Sequence, residues 1–237
     1  DNVKQALINS IKNGENGIKE ITQFDTSDYP VHIAGECNID LTTYINSKQL
    51  NKIDRFTAFA IIAAEQAIKN SKIDSKNIDK EKAGVIIGSG IGGMSTFESQ
   101  HTRLLKSPRR VSPFFIPAMI PDIASGYIAL NNDFKGVNYA VVSACTSGTH
   151  SIGDAFRSIK HGYSNLIIAG GAEASITPMA IAGFGNMKAL SKNPDPNTAS
   201  RPFDLDRDGF VISEGAGILI LENLDHAISR DATIYAE

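Results

Sequence analysis

Tryptophan is absent from this 237-residue chain, cysteine occurs twice, and no apolar run approaches the length needed to cross a bilayer. The last absence speaks against a membrane protein. Two thiols, Cys37 and Cys145, are too few for a disulfide framework. They point instead to a reducing compartment, the cytoplasm or an organelle matrix, and to separate roles for each. A basic excess is missing too: 23 Lys and Arg stand against 26 Asp and Glu, and the net charge of -3 speaks against a nucleic-acid partner. There is no charged-then-apolar leader, no short internal repeat and no low-complexity linker. The first residue is Asp1 rather than methionine, so the natural start is expected upstream. What is present is a 42% apolar composition, enough to bury a core as one large α/β domain or two small ones.

Apolar periodicity alternates between helical and strand types. Helices are expected over 1–12, 55–70, 93–105, 116–130 (marked by prolines), 151–161, 176–186 and 224–230. In the second of these, Phe56, Phe59, Ala60, Ala63 and Ala67 share one face. Strands are expected at "VHIAGEC" (31–37), "AGVIIGSG" (83–90), "VNYAVVSA" (137–144), "NLIIAGGAE" (165–173), "GFVIS" (209–213) and "AGILILE" (216–222). The alternation implies a layered α/β fold with a largely parallel sheet. The clearest loop is "SKNPDPNTASRPFD", 191–204.

Two motifs invite functional readings that their surroundings weaken. "GSGIGG" sets Gly88, Gly90 and Gly93 in a GxGxxG pattern between a strand and a helix, as a dinucleotide site requires. The acid-ended strand that should follow is replaced by "KSPRRVSPFFIP", so tight strand–helix packing is the better reading. "DLDRDG" spaces Asp204, Asp206 and Asp208 like the start of an EF-hand loop, but its twelfth position is Gly215 and its flanks are strand-like. A structural acidic turn fits better.

In "YAVVSACTSGTHSIGDAF" (139–156), Cys145 stands where a strand gives way to a helix. There the unsatisfied N–H groups and positive dipole end of the helix favour a thiolate and can hold an oxyanion. Ser147, Gly148 and Thr149 leave room for a bulky thioester. The ordinary alternative, a small buried thiol, is equally open on local sequence alone, and Cys37 stays with it. No base is evident. His150 lies five positions on, roughly 140° around a helix, so the two side chains should diverge. His32, His101, His161 and His226 carry no catalytic signature.

"SACTSGTHSIGDAF", "NLIIAGGAEASITPMAIAGFGNMKALS", "SRPFDLDRDGFVISEGAGILILENLDHA" and the terminal "IYAE" resemble the β-ketoacyl-acyl carrier protein synthases, the elongating condensing enzymes of type II fatty acid synthesis. "SPFFIP", "GFGNMKALS" and "DRDGFVISEGAG" resemble synthase II more than synthase I. The resemblance implies a thiolase-like fold, layered α/β/α/β/α in the full enzyme, with residues 1–237 corresponding to its N-terminal half. The opening strand with its "TGMG"-like segment is missing. So is the C-terminal half, with its HGTGT-like and GHN-like histidines, a lysine and an FGFGG-like loop.

The resemblance also assigns residues. It makes Cys145 the acyl-accepting nucleophile and its N–H one of two oxyanion donors, the other coming from the FGFGG-like loop. Phe184 falls at the active-site entrance, Ile91 at the acyl-pocket gate, and Phe115 at a position reaching toward the partner subunit of a homodimer. Lys48, Lys52, Arg109, Arg110 and Lys188 fall where the family meets its acidic carrier protein, and Asn51 where relatives often carry a base. The implied partners are acyl- and malonyl-loaded acyl carrier protein. No metal or redox cofactor is implied, only the carrier's phosphopantetheine arm. A catalytically silent, chain-length-factor-like partner is the alternative, and Cys145 argues against it.

Overall fold

A computed structural model describes residues 2–73 and 78–237. In chain order the elements are α1 (Asn2–Asn13), β1 (Lys19–Glu20), β2 (Ile33–Ala34), α2 (Ser47–Leu50), α3 (Arg55–Ser71), β3 (Ala83–Gly88), α4 (Met94–Lys106) and α5 (Phe115–Met119). Then come α6 (Ile123–Asn132), β4 (Asn138–Tyr139), α7 (Ser147–Lys160), β5 (Leu166–Glu173), α8 (Pro178–Asn186), β6 (Gly215–Glu222) and α9 (Leu224–Ser229). The chain forms two compact units, Asp40–Ala174 with Gly215–Glu237 and Asp1–Ile39 with Ser175–Glu214.

The first, the sheet unit, is built on four strands in the order β4-β3-β5-β6. β4 and β5 both run parallel to β3, and β6 runs antiparallel to β5 along its whole length, from Leu166↔Glu222 to Glu173↔Gly215. Every residue of β3 is buried, as a central strand covered on both faces requires. Ile86, Ile167 and Ala169 pack with Ala155, Ile152 and Ile159 of α7. α3 packs on β5 and β6, and α6 on α3 and β3. Each fully buried Val or Ile in these strands stabilises by about 1.5–3 kcal/mol. Asp54 caps α3 by accepting from the Phe56 N–H at 3.3 Å, and its other oxygen takes the Thr96 N–H at 2.8 Å. Burial of this carboxyl raises its pKa despite those bonds. α3 ends at Lys72, which adopts the left-handed conformation, φ 55°.

Several boundaries differ from the sequence expectation. The strand expected over 137–144 is regular only at Asn138–Tyr139, because β4 is an edge paired to Val85 and Ile86 alone. The helix expected over 116–130 breaks around Pro121 into α5 and α6, since proline supplies no N–H and crowds the preceding turn. The helix expected from Ser151 begins at Ser147.

The second unit holds the β1–β2 pair, α8 and a core of Ile21, Val31, Ala34, Ile176, Ile181, Leu190 and Ile212. α8 begins at Pro178 rather than 176, with Thr177 accepting from the Ala180 N–H. "VHIAGEC" is regular only at Ile33–Ala34, and "GFVIS" forms two single bridges, Leu190↔Phe210 and Gly35↔Ser213, rather than a strand.

Candidate active site

Cys145 is exposed and stands two residues before the first turn of the 14-residue α7. The turn that presents it is held from several sides. Ala144 takes a positive φ of 53°, a conformation that costs a non-glycine residue on the order of 1–3 kcal/mol and persists only where its surroundings hold it. Ser147 Oγ holds it by donating to the Ala144 carbonyl at 2.6 Å and accepting from the Ser143 N–H at 2.9 Å. Thr146 Oγ1 donates to the Ser143 carbonyl at 2.7 Å. Among the described residues nothing accepts from the Cys145 N–H.

Glycines near the ends of β3 and β5 explain how α7 comes so near. A Cβ at Gly88 would stand 2.4 Å from the backbone of Ser147, and one at Gly171 would stand 2.9 Å from the Cα of Gly148. The absence of side chains at these points lets the start of α7 rest on the ends of β3 and β5. The loop's donors converge on one carboxylate of the chain itself. Glu173 Oε2 accepts from the N–H groups of Gly90 at 2.7 Å and Ile91 at 3.2 Å, while Oε1 accepts from Ser89 Oγ at 3.1 Å. "GSGIGG" is thus a packing loop whose amides meet an internal anion where a dinucleotide site would hold phosphate.

Among the described residues the histidines have partners other than the Cys145 thiol. His150 Nδ1 shares a 2.7 Å hydrogen bond with Ser143 Oγ, consistent with the divergence expected from helical rotation. His226 pairs with Glu222, His32 with Thr26 Oγ1, His101 stacks on Phe97, and His161 meets Tyr163 edge-on.

Residues 1–227 match the family model for the N-terminal domain of beta-ketoacyl synthase. The chain belongs to this family. It is 50% identical to the 3-oxoacyl-[acyl-carrier-protein] synthase 2 of Staphylococcus aureus (strain N315) and 48% identical to that of a Synechocystis species, over 239 residues in each case. The chain spans 58% of the length of these curated relatives. Among solved structures it is similar to a beta-ketoacyl synthase from Burkholderia phymatum, with TM-score 0.88 and 29% identity over 98% of this chain and 58% of that one. It is also similar to a chain from a type II PKS acyl-carrier protein in complex with its ketosynthase, with TM-score 0.85 and 28% identity over 96% of this chain and 56% of that one. The fold is that of the ketosynthases, thiolase-like and α/β, as the resemblance implied.

In this beta-ketoacyl synthase domain, the residues singled out from sequence fall into groups. Ile91 is half-buried, and its loop is held by Glu173 against the Cys145 turn: a Cβ on neighbouring Gly90 would stand 3.1 Å from the Ala144 carbonyl oxygen. Phe115 and Lys52 line a cleft of about 180 Å³ with Asn51, Phe114 and Gln100. Lys52 Nζ lies 4.7 Å from the centre of the Phe114 ring. Arg109 and Arg110 are exposed on the short 3-10 turn Pro108–Arg110, and Lys48 is exposed on α2. Phe184 and Lys188 belong to the second unit, where Phe184 packs edge-on against Phe210 and Lys188 is exposed.

Also in the second unit, Asp208 of "DLDRDG" accepts from Ser191 Oγ, the Lys192 N–H and Arg201, so this segment is the structural turn expected of it. Cys37 donates to the Glu214 carbonyl at 3.2 Å, in keeping with a structural thiol. Sequence reasoning missed Glu173. Its signal was present in "LIIAGGAE": a lone carboxylate closing an apolar strand needs donors, and a glycine-rich loop after a parallel neighbour supplies them.

Proposed function

We propose that this chain is the nucleophile-bearing N-terminal half of an elongating β-ketoacyl-acyl carrier protein synthase of type II fatty acid synthesis. The observation that carries the reading is the exposed Cys145 on a braced turn at the start of α7. Identity of 50% to a curated 3-oxoacyl-[acyl-carrier-protein] synthase 2 supports it. The thiolate attacks the thioester carbonyl of acyl-loaded carrier protein, the Cys145 N–H and the helix start face the developing oxyanion, and the phosphopantetheine thiol of the carrier leaves. Malonyl-loaded carrier then loses carbon dioxide, and its enolate attacks the acyl-enzyme carbonyl. Cys145 departs as thiolate and β-ketoacyl-carrier protein is released. By the resemblance, the two histidines for decarboxylation and the second oxyanion donor lie outside these 237 residues. No metal or redox step is needed for this chemistry.

On the same reading Ile91, Phe115 and Phe184 shape the acyl site, and Phe115 reaches toward the second subunit of a homodimer. Lys48, Lys52, Arg109, Arg110 and Lys188 meet the acidic carrier, and the protein works in the cytoplasm or an organelle matrix. A silent chain-length-factor role is disfavoured by the nucleophile itself. The test is intact-mass measurement after incubating full-length protein with acyl-loaded carrier. Wild type gains one acyl group and Cys145→Ala gains none; an adduct that persists in Cys145→Ala overturns the assignment.

A further inference from the structure

The three donors gathered by Glu173 are consecutive, Ser89, Gly90 and Ile91, and the loop they form lies between that carboxylate and the turn of the nucleophile. A Cβ on Gly90 would stand 2.9 Å from Glu173 Oε2 and 3.1 Å from the Ala144 carbonyl oxygen, so only glycine fits between the two. Ser89, 1% exposed, doubles the clamp: its Oγ donates to Glu173 and accepts from the Gly92 N–H at 3.0 Å. The backbone of Ile91 is therefore set by a side chain eighty-two positions away in the chain.

We propose that Glu173 is a positioning residue for acyl-chain selection: by binding Ser89, Gly90 and Ile91 it fixes the Ile91 segment against the residue preceding Cys145, so that discrimination between acyl lengths depends on a carboxylate that touches no substrate. This rests on the synthase reading, which supplies the acyl-chain role of Ile91. Charge is not what the clamp needs. In Glu173→Gln one oxygen can still take both backbone N–H groups, and the Ser89 hydroxyl can turn to accept from the new amide. In Glu173→Ala all three donors lose their acceptor, and the loop is free to shift.

The experiment measures Cys145 acylation in full-length protein with short- and long-chain acyl-loaded carrier, by intact mass against time, alongside thermal melting. Glu173→Ala is expected to reduce the ratio of preferred to disfavoured chain length on the order of tenfold, the scale of one buried donor left without its acceptor. Glu173→Gln should stay within about twofold of wild type. Ser89→Ala, which removes one of the three donors, should shift the ratio in the same direction by less, and it decides the matter alone if Glu173→Ala does not fold. The proposal is overturned if the rates for both chain lengths fall in parallel with the ratio unchanged, or if Glu173→Gln is as damaging as Glu173→Ala. Acylation that survives Cys145→Ala would instead remove the synthase reading, whatever the Glu173 variants do.

Discussion

Placing a methyl group at Gly88 tests how closely β3 meets α7. The added Cβ would stand 2.4 Å from both the carbonyl carbon and oxygen of Ser147 and 2.8 Å from Ser151 Oγ. Ser151 Oγ could rotate, but Ser147 is the first residue of α7 and its backbone cannot swing aside without moving the helix start. Overpacking of this kind costs about 1–3 kcal/mol. Alanine recovers roughly 0.4–1 kcal/mol by narrowing the unfolded ensemble, since Gly88 does not use the left-handed region. The net expectation is a loss of about 1.3 kcal/mol at mid-range, within limits of about 0 and 2.6 kcal/mol.

Gly153, in the middle of the same helix, is the internal control, because nothing lies within 4 Å of a Cβ there. Gly153→Ala should stabilise by about 0.5–1 kcal/mol through helix propensity. Urea unfolding followed by far-ultraviolet circular dichroism reads both effects, with slopes of about 1–3 kcal/mol/M converting energy to midpoint. Gly88→Ala should unfold at lower urea than wild type and Gly153→Ala at higher. A Gly88→Ala midpoint at or above that of wild type would refute the close contact of β3 with α7, and with it the account of how Cys145 is placed.

Two further tests address charge. Arg109→Glu is expected to weaken binding of the carrier protein, and more so at low salt, because exposed charges are screened over about 10 Å at 0.1 M; titration at two ionic strengths checks this, and equal affinity at low salt returns Arg109 to ordinary solvated surface. Glu222 is half-buried, with Oε2 bonded to Arg230 at 2.6 Å and Oε1 to His226 at 2.5 Å. Burial alone would raise its pKa, but hydrogen bonds and charge from Arg230 and His226 together outweigh burial and hold it below the usual value of 4.5. Its contribution to stability is then present above the unfolded value and lost as pH falls through the folded one. Melting temperatures between neutral pH and strong acid should therefore fall less steeply for Glu222→Gln than for wild type.

What could be read from the sequence tracks burial. β3 and β5 matched their expected spans to within two residues because a strand covered on both faces must be apolar throughout. α3 matched because its capping Asp54 and long apolar pattern agree. The stretch before Cys145 looked like a strand by composition, yet its end is shaped by the positive φ of Ala144 and the bonds of Ser147, which no periodicity reports. Ser147, Gly148 and Thr149 fell before the expected helix start at Ser151 and counted only as open space beside the thiol. They are instead the first turn of α7, and being small is what lets that turn sit against Gly88 and Gly171. Cys145 was legible as a strand-to-helix thiol. Its bracing and the Glu173 clamp depend on contacts between segments far apart in the chain.

The antiparallel run of β6 has a consequence for how the chain can be cut and rejoined. Glu173 and Gly215 are paired across β5 and β6, so everything between Ala174 and Gly215 departs from and returns to the same end of one strand pair. Partners in such a ladder lie about 4.5–5.5 Å apart at Cα, a gap that a two-residue hairpin turn spans. The strand pair therefore does not need the excursion in order to close, and Cys145, the glycine loop and Glu173 all lie on the side of that junction that would be kept. Residues 175–214 thus leave and re-enter through one end of the β5–β6 pair, and the register from Leu166↔Glu222 to Glu173↔Gly215 is made without them.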